Sequence, residues 1–219
     1  MRGGHATSVE LRGQLAAGKP LIVVAVKDEA QFLDTSLPVL LTGMGKVNAA
    51  ASLASVLSRG PLPSRVINLG TAGALRPGLS GLHLIGTVIQ HDLDTSLLRE
   101  LTGDTFGAPI EIAADGPVLA TGDVFVSDDA VRERLGGIAH LADMEGYAVA
   151  AAAAAVGVPV ELVKHVSDEA NEHSFRSWQE SVASSARILT DWAARNIPGY
   201  AKRPDSVCPR GSAAPFPLS

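Results

Sequence analysis

Two observations predict an α/β fold built on a mainly parallel sheet with helices on both faces. Short, continuous apolar runs such as "LIVVAV" at 21–26 and "PVLLT" at 38–42 read as strands buried on both sides. These runs alternate with segments of helical character, the order expected of βαβ units. Hydrophobic residues make up 46% of the chain but aromatic residues only 4%, so the core has to be assembled from Ala, Val and Leu.

The elements follow along the chain. Residues 1–19 are polar and contain glycine, and read as a loose arm or a short helix. After the strands at 21–26 and 38–42, "KVNAAASLASVLS" at 46–58 is a helix, stopped by Gly60 and Pro61. Residues 65–69 form a strand that leads into "GTAGAL". Strands are expected at 84–90 and 117–120, and a short helix at 127–135 with Ser127 as its N-cap. A helix is expected at 143–156 and a strand at 160–166. The last helix starts near the capping-box pattern "SWQE" at 177–180. Trp178, Val182, Ala186, Leu189 and Ala193 recur along it at roughly helical spacing, and Pro198 ends it. This divides the chain into an arm (1–19), a single domain (20–197) and a tail (198–219), whose Pro, Ser, Gly and Arg content predicts mobility. No internal repeat is visible.

Composition narrows the function. A net charge of −5 gives no electrostatic reason to bind nucleic acid. One cysteine, Cys208, allows neither an internal disulfide nor a cysteine-based metal cluster, and suggests a reducing compartment. The N-terminal residues lack a continuous apolar stretch of the secretory type. The most apolar run, 148–156, is far below the ~20 residues of a membrane span. A cytoplasmic protein with no membrane or nucleic-acid partner is expected.

Several strand ends are unusual. "VELVKHVSDEAN" at 160–171 is a core strand that runs straight into acids. Ser167 and Asp168 there suit a turn or helix start, or a catalytic acid at the carboxyl end of a strand, where open α/β sheets bind ligands. "AVKDEAQF" places Lys27, Asp28 and Glu29 at another strand exit. "TGMGKVNAA" is neither a P-loop nor a dinucleotide fingerprint, but Gly43 and Gly45 permit close backbone approach. "NLGTAGAL" flanks Thr71 with Gly70 and Gly73, so its backbone and hydroxyl could face a small ligand. In "ATGDVFVSDD", Phe125 suits packing or stacking on a planar base. In "ADMEGYAVA", Glu145 suits a helix first turn through the dipole, or a pocket where it accepts hydrogen bonds from hydroxyls.

"GMGKVNAA", "INLGTAGAL", "TGDVFVSD", "ADMEGYAVA" and "KHVSDEAN", in that order and each at a strand–helix junction, resemble the nucleoside phosphorylase and nucleosidase superfamily. The resemblance is strongest to the 5′-methylthioadenosine/S-adenosylhomocysteine nucleosidases and covers about residues 20–195. It implies a three-layer α/β/α sandwich around a mixed, twisted central sheet, of the purine nucleoside phosphorylase type. It also implies residue roles. Asp168 would be the general acid at N7 of a purine, with Ser167 beside it. Glu145 would hold the ribose hydroxyls and Met144 would lie against the sugar. Phe125 would stack on the base and the Val126 backbone would read its edge. Glu29 would position the attacking water, and Trp178 stands near where the family places an aromatic over the pocket for the 5′ group. The family is commonly dimeric, and no cofactor or metal is implied.

Water fits better than phosphate as the nucleophile. Phosphorolysis needs an anion site, typically with arginine. Superfamily phosphorylases carry an Arg where this chain has Asn68, and no Arg occurs between Arg12 and Arg59. The resemblance thus implies hydrolysis of the N-glycosidic bond of a purine nucleoside, a 5′-substituted adenosine, with release of free base. A futalosine-like hydrolase, a phosphorylase and a non-catalytic nucleoside binder are the alternatives. The segment between Glu29 and Gly43 is shorter than in the family. "HDLD" at 91–94 shows no supporting metal-ligand spacing. His165 reads as a packed strand residue, and His173 lies near enough to the acidic loop to contact base or 5′ group.

Overall fold

Side chains alternate in facing along the strands, and this sorts the core into layers on either side of one sheet. The structure, a computed structural model, describes residues 9–201. Its elements are β1 (Glu10–Arg12), β2 (Leu21–Val24), β3 (Val39–Leu41), α1 (Lys46–Leu57), β4 (Val66–Ala74), β5 (Leu82–Leu84), β6 (Thr87–Gln90), α2 (Thr95–Thr102), β7 (Ile110–Glu111), β8 (Val118–Thr121), α3 (Asp129–Gly136), β9 (Leu141–Asp143), α4 (Gly146–Ala154), β10 (Val160–Asp168) and α5 (Ser174–Asn196). Leu21, Val23 and Val66 pack with Leu53 of α1 and Val149 of α4. Ile22, Val24, Ile67 and Leu69 face the other way, against Leu189 and Ala193 of α5. A third cluster packs Leu135 of α3 against Ala120 and Ala142. This is the expected α/β/α arrangement, and the sheet is mixed.

β4 organises the sheet. One of its edges pairs in parallel with β10 over residues 66–73. The other edge is shared: residues 66–68 pair in parallel with β2, and residues 73–74 pair antiparallel with β9. Among the described residues, no strand occupies that edge between them. The carboxyl ends of β2 and β9 run toward this gap from opposite directions. Ligand clefts form where strand directions diverge in this way.

The alanine-rich sequence explains the close helix packing. α4 reads "GYAVAAAAA", with Ala148, Ala150 and Ala153 buried against α1 and the sheet. A Cβ on Gly146 would stand 2.6 Å from Leu119 Cδ2, so a larger residue in the first turn of α4 would displace that side chain.

Several expected boundaries differ from those observed. The arm contains β1, because residues 10–12 find an open edge on β3 and pair with it antiparallel. The expected strand at 84–90 is two strands. It breaks at Gly86, where a Cβ would meet the Gly116 carbonyl at 2.9 Å, and its halves pair with β10 and β8. α3 is capped by Asp128, which accepts from Val131 N–H, and not by Ser127. Residues 141–143 are strand, so the helix expected from 143 starts at Gly146. α5 starts at Ser174, a turn before the capping-box pattern. α2 was not anticipated from periodicity, although the Asp94 cap and the left-handed Gly103 bound it clearly. Of the tail, residues 198–201 lie against the core: Tyr200 packs with the α5 cluster and Ser36 N–H donates to Ala201 O at 2.8 Å. The rest of the tail, Cys208 included, lies outside the described residues.

Leu53→Ala removes a fully buried side chain from the α1–α4 contact. It is expected to cost about 2–5 kcal/mol, read as a lower urea midpoint with an unchanged m-value.

Candidate active site

The cleft lies at the gap in the β4 edge and opens to solvent. Five chain segments converge on it. The turn after β2 supplies Glu29, the middle of β4 supplies Thr71, and the loop after β8 supplies Phe125 and Val126. The β9–α4 junction supplies Met144 and Glu145, and the end of β10 supplies Ser167 and Asp168. Trp178 of α5 and Met44 of the loop before α1 complete the walls. All nine residues singled out from the sequence therefore face one cleft.

A register shift between Val166 and Asp168 sets the acid. Ser167 is the extra residue, and such bulges re-aim side chains at strand ends. Ser167 Oγ donates to Asp168 Oδ2 at 2.8 Å, and Ala170 N–H donates to Asp168 Oδ1 at 2.9 Å. Ala170 holds φ of 50°, a conformation that non-glycine residues seldom take, in order to aim that N–H. Gly73 leaves the room: a Cβ there would lie 2.9 Å from Asp168 Oδ1.

Glu29 is buried. Its Oε1 accepts from Thr71 N–H at 2.8 Å and from Thr71 Oγ1 at 2.9 Å, while Oε2 is buried without a protein partner. Trp178 Nε1–H donates to Thr71 Oγ1 at 3.0 Å. Glu145 Oε1 accepts from Gly45 N–H at 2.7 Å, which ties the entry of α1 to the start of α4. Glycine is needed at 45, where φ is 91°.

Beneath the cleft lies an ion pair the sequence reading missed. Lys164 Nζ reaches Asp143 Oδ2 at 2.8 Å, and both side chains are about 1% exposed. Asp143 is also satisfied by Thr121 Oγ1 at 2.6 Å and Gly146 N–H at 2.8 Å. Burial opposes the charge on Lys164, but Asp143 and Glu145 outweigh it and hold the ammonium above its usual value. The cation is committed to Asp143, so Glu145 is only partly compensated. Burial first, then the Asp143 carboxylate, push the Glu145 carboxyl up to about 8, against the pull of Lys164. Two signals for the pair were present in the sequence: a lysine inside an otherwise apolar strand needs a counter-ion, and an acid directly precedes "MEG".

The loop carrying Phe125 is fastened from outside. Asp123 Oδ1 accepts from Lys46 N–H at 2.7 Å, Asp123 N–H donates to Asp92 Oδ2 at 2.8 Å, and Lys46 Nζ pairs with Asp92. Asp92 of "HDLD" is thus a loop anchor. Among the described residues, no cluster of three His, Cys, Asp or Glu side chains is arranged to hold a metal ion. His165 packs between β10 and α5, its Nδ1 2.9 Å from Ser185 Oγ. His173 is an exposed residue beside the start of α5, outside the cleft wall. Asn68 also lies outside that wall, its Nδ2 donating to Val23 O at 3.1 Å in the core. Neither Arg nor Lys lines the cleft among the described residues.

Residues 106–195 match the family model described as the phosphorylase superfamily. A 5′-methylthioadenosine/S-adenosylhomocysteine nucleosidase of Marinomonas sp. strain MWYL1 is 30% identical over 203 residues, covering 81% of this chain and 84% of the relative. The enzyme of that name from Bacillus pumilus is 30% identical over 192 residues, covering 76% and 82%. The chain belongs to the 5′-methylthioadenosine/S-adenosylhomocysteine nucleosidase family. Among solved structures, the Helicobacter pylori nucleosidase with butyl-thio-DADMe-Immucillin-A superposes with a TM-score of 0.72 at 22% identity, over 83% of this chain and 98% of that one. The futalosine hydrolase of Helicobacter pylori superposes with a TM-score of 0.71 at 22% identity, over 80% and 95%. These two likenesses establish the shared fold.

Two measurements test the electrostatics. Lys164→Met strands Asp143 as a buried, unpaired carboxylate and is expected to cost about 3–5 kcal/mol in urea unfolding. Glu145 binds more protons folded than unfolded between its ordinary 4.5 and about 8. Stability therefore falls as pH rises through that window. Thermal melts from pH 5 to 8 are expected to slope downward in the parent chain and to be flatter in Glu145→Gln.

Proposed function

We propose that this chain hydrolyses the N-glycosidic bond of a purine nucleoside, a 5′-substituted adenosine of the methylthioadenosine/S-adenosylhomocysteine type, and releases the free base. One observation carries the reading: three carboxylates from three strand ends, Asp168, Glu145 and Glu29, face one cleft beside an apolar wall that includes Phe125 and Val126. The named activity of the relatives supports it.

In this reading the base lies against Phe125, with the Val126 backbone at its edge. Glu145 accepts hydrogen bonds from the ribose hydroxyls and Met144 lies against the sugar. Asp168 gives its proton to N7 as the C1′–N9 bond breaks, and the electrons of that bond leave with the base. Ser167 and Ala170 hold the carboxyl in place for that transfer. The sugar develops oxocarbenium character, and water adds at C1′. Glu29 takes the proton that water loses. Its unpartnered Oε2 is the oxygen free to do so, since Oε1 already accepts two hydrogen bonds. The absence of Arg and Lys from the described cleft wall favours water over phosphate.

The same reading makes the protein a cytoplasmic homodimer. Exposed apolar side chains near the cleft mouth, Met44, Val47, Val124 and Phe125, support the dimer. No helix among the described residues is long and apolar enough to cross a membrane.

The test is release of free base from methylthioadenosine, S-adenosylhomocysteine, adenosine, inosine and futalosine in phosphate-free buffer, followed by chromatography. Adenine is expected from the 5′-thio substrates. Asp168→Asn is expected to lower kcat by about 10²–10⁴-fold, the usual worth of a general acid. Unchanged turnover in that variant refutes the mechanism. A requirement for phosphate with formation of ribose 1-phosphate refutes hydrolysis.

A further inference from the structure

Trp178 makes a contact that a pocket wall does not need. Its indole nitrogen can only donate, so the Thr71 hydroxyl must accept from it. The single proton of that hydroxyl is then left for Glu29 Oε1, 2.9 Å away. Without the indole N–H, the hydroxyl could turn and donate elsewhere. With it, Oε1 receives two donors from Thr71 and Oε2 is the oxygen left over. Chains of this kind also strengthen each link by polarisation.

The position of Trp178 gives the contact further reach. It lies early in α5, near Ser181, whose Oγ donates to the Ser167 carbonyl at 3.0 Å beside the acid. The segment leading into α5 holds Ala170, whose N–H fixes Asp168. One stretch of chain thus sets the orientation of both groups on which the hydrolytic reading depends.

We propose that Trp178 is a positioning residue that fixes the orientation of the Glu29 carboxylate, acting through the Thr71 hydroxyl. The proposal rests on the reading in which Glu29 activates water. It separates the indole N–H from the bulk of the ring, so Trp178→Phe is the informative change: it keeps an aromatic wall and removes the donor.

The experiment is a double-mutant cycle on steady-state kinetics with Trp178→Phe, Thr71→Val and the pair. Trp178→Phe is expected to lower kcat about 3- to 10-fold, the effect of one neutral hydrogen bond, with KM changed less than about 2-fold. Thr71→Val is expected to lower kcat at least as far. Adding Trp178→Phe to it is expected to cost nothing more, because the link is already cut. Additive losses overturn the proposal, and so does a variant whose KM rises while kcat stays unchanged.

A second readout does not need turnover. The chain has two tryptophans, so the indole N–H proton resonance lost in Trp178→Phe is assigned directly. That resonance is expected to shift in Thr71→Val and in Glu29→Gln, both of which alter the hydrogen-bonded chain. If the parent protein releases no base, the hydrolytic reading has failed, and the resonance alone decides. A Trp178 signal unmoved by Thr71→Val overturns the positioning role.

Discussion

The buried pair between Lys164 and Asp143 joins three strands under the cleft. Lys164 belongs to β10 and Asp143 to β9, and β4 lies between these strands. The lysine can cross only because the intervening residue is Gly70, where a Cβ would stand 3.1 Å from Nζ and 3.4 Å from Glu29 Oε1. Isolated buried charges are costly, and this one is tolerated because it is paired and Asp143 accepts two further hydrogen bonds, from Thr121 at Oδ1 and Gly146 at Oδ2. The cation is also near enough to act on Glu145 and Glu29. The sheet therefore carries a fixed positive charge beneath a cleft walled by carboxylates. Without it, three acids would repel one another in a poorly solvated space.

The cleft is shaped as much by missing atoms as by functional groups. Gly70 gives passage to Lys164, Gly73 gives room to Asp168, and Gly146 lets α4 begin against Leu119. The groups at these strand ends depend on neighbouring residues that carry no side chain.

Much of this was legible in the sequence, and the pattern of what was not is instructive. Continuous apolar runs located β2 and β3 because strands buried on both faces have no alternation to confuse them. The acids at the strand exits stood out because charge seldom follows a core strand without reason. Short strands were the weak point. β9 spans three residues and its last is Asp143, so it read as the opening of the helix that follows. The underlying physics explains the error: Asp143 does accept the Gly146 N–H, as a cap would, while its own backbone remains in the sheet. Ser127 and Ser177 were credible caps by residue type, but Asp128 caps α3 through Val131 N–H and α5 already begins at Ser174, where local hydrogen bonds involving Asn171 set the turn. Lys164 was passed over although it needs a counter-ion, because Asp143 read as the opening of a helix and not as a strand residue facing it.

α2 shows how loosely part of the rim is attached. It buries none of its residues, yet a capped start and a glycine stop define it. Near its far end, the loop toward β7 is tied to α4 by the Tyr147 hydroxyl and the Ala108 carbonyl, 2.9 Å apart. A segment with so little buried contact exchanges its amide hydrogens through local opening, at a rate set by its own small free energy. The strands that carry Thr71 and Asp168, β4 and β10, pair along most of their length and are expected to exchange only on much larger opening. The molecule therefore has two clocks, a fast one at the periphery and a slow one at the carboxylates. Sequence change in the first can proceed without disturbing the second.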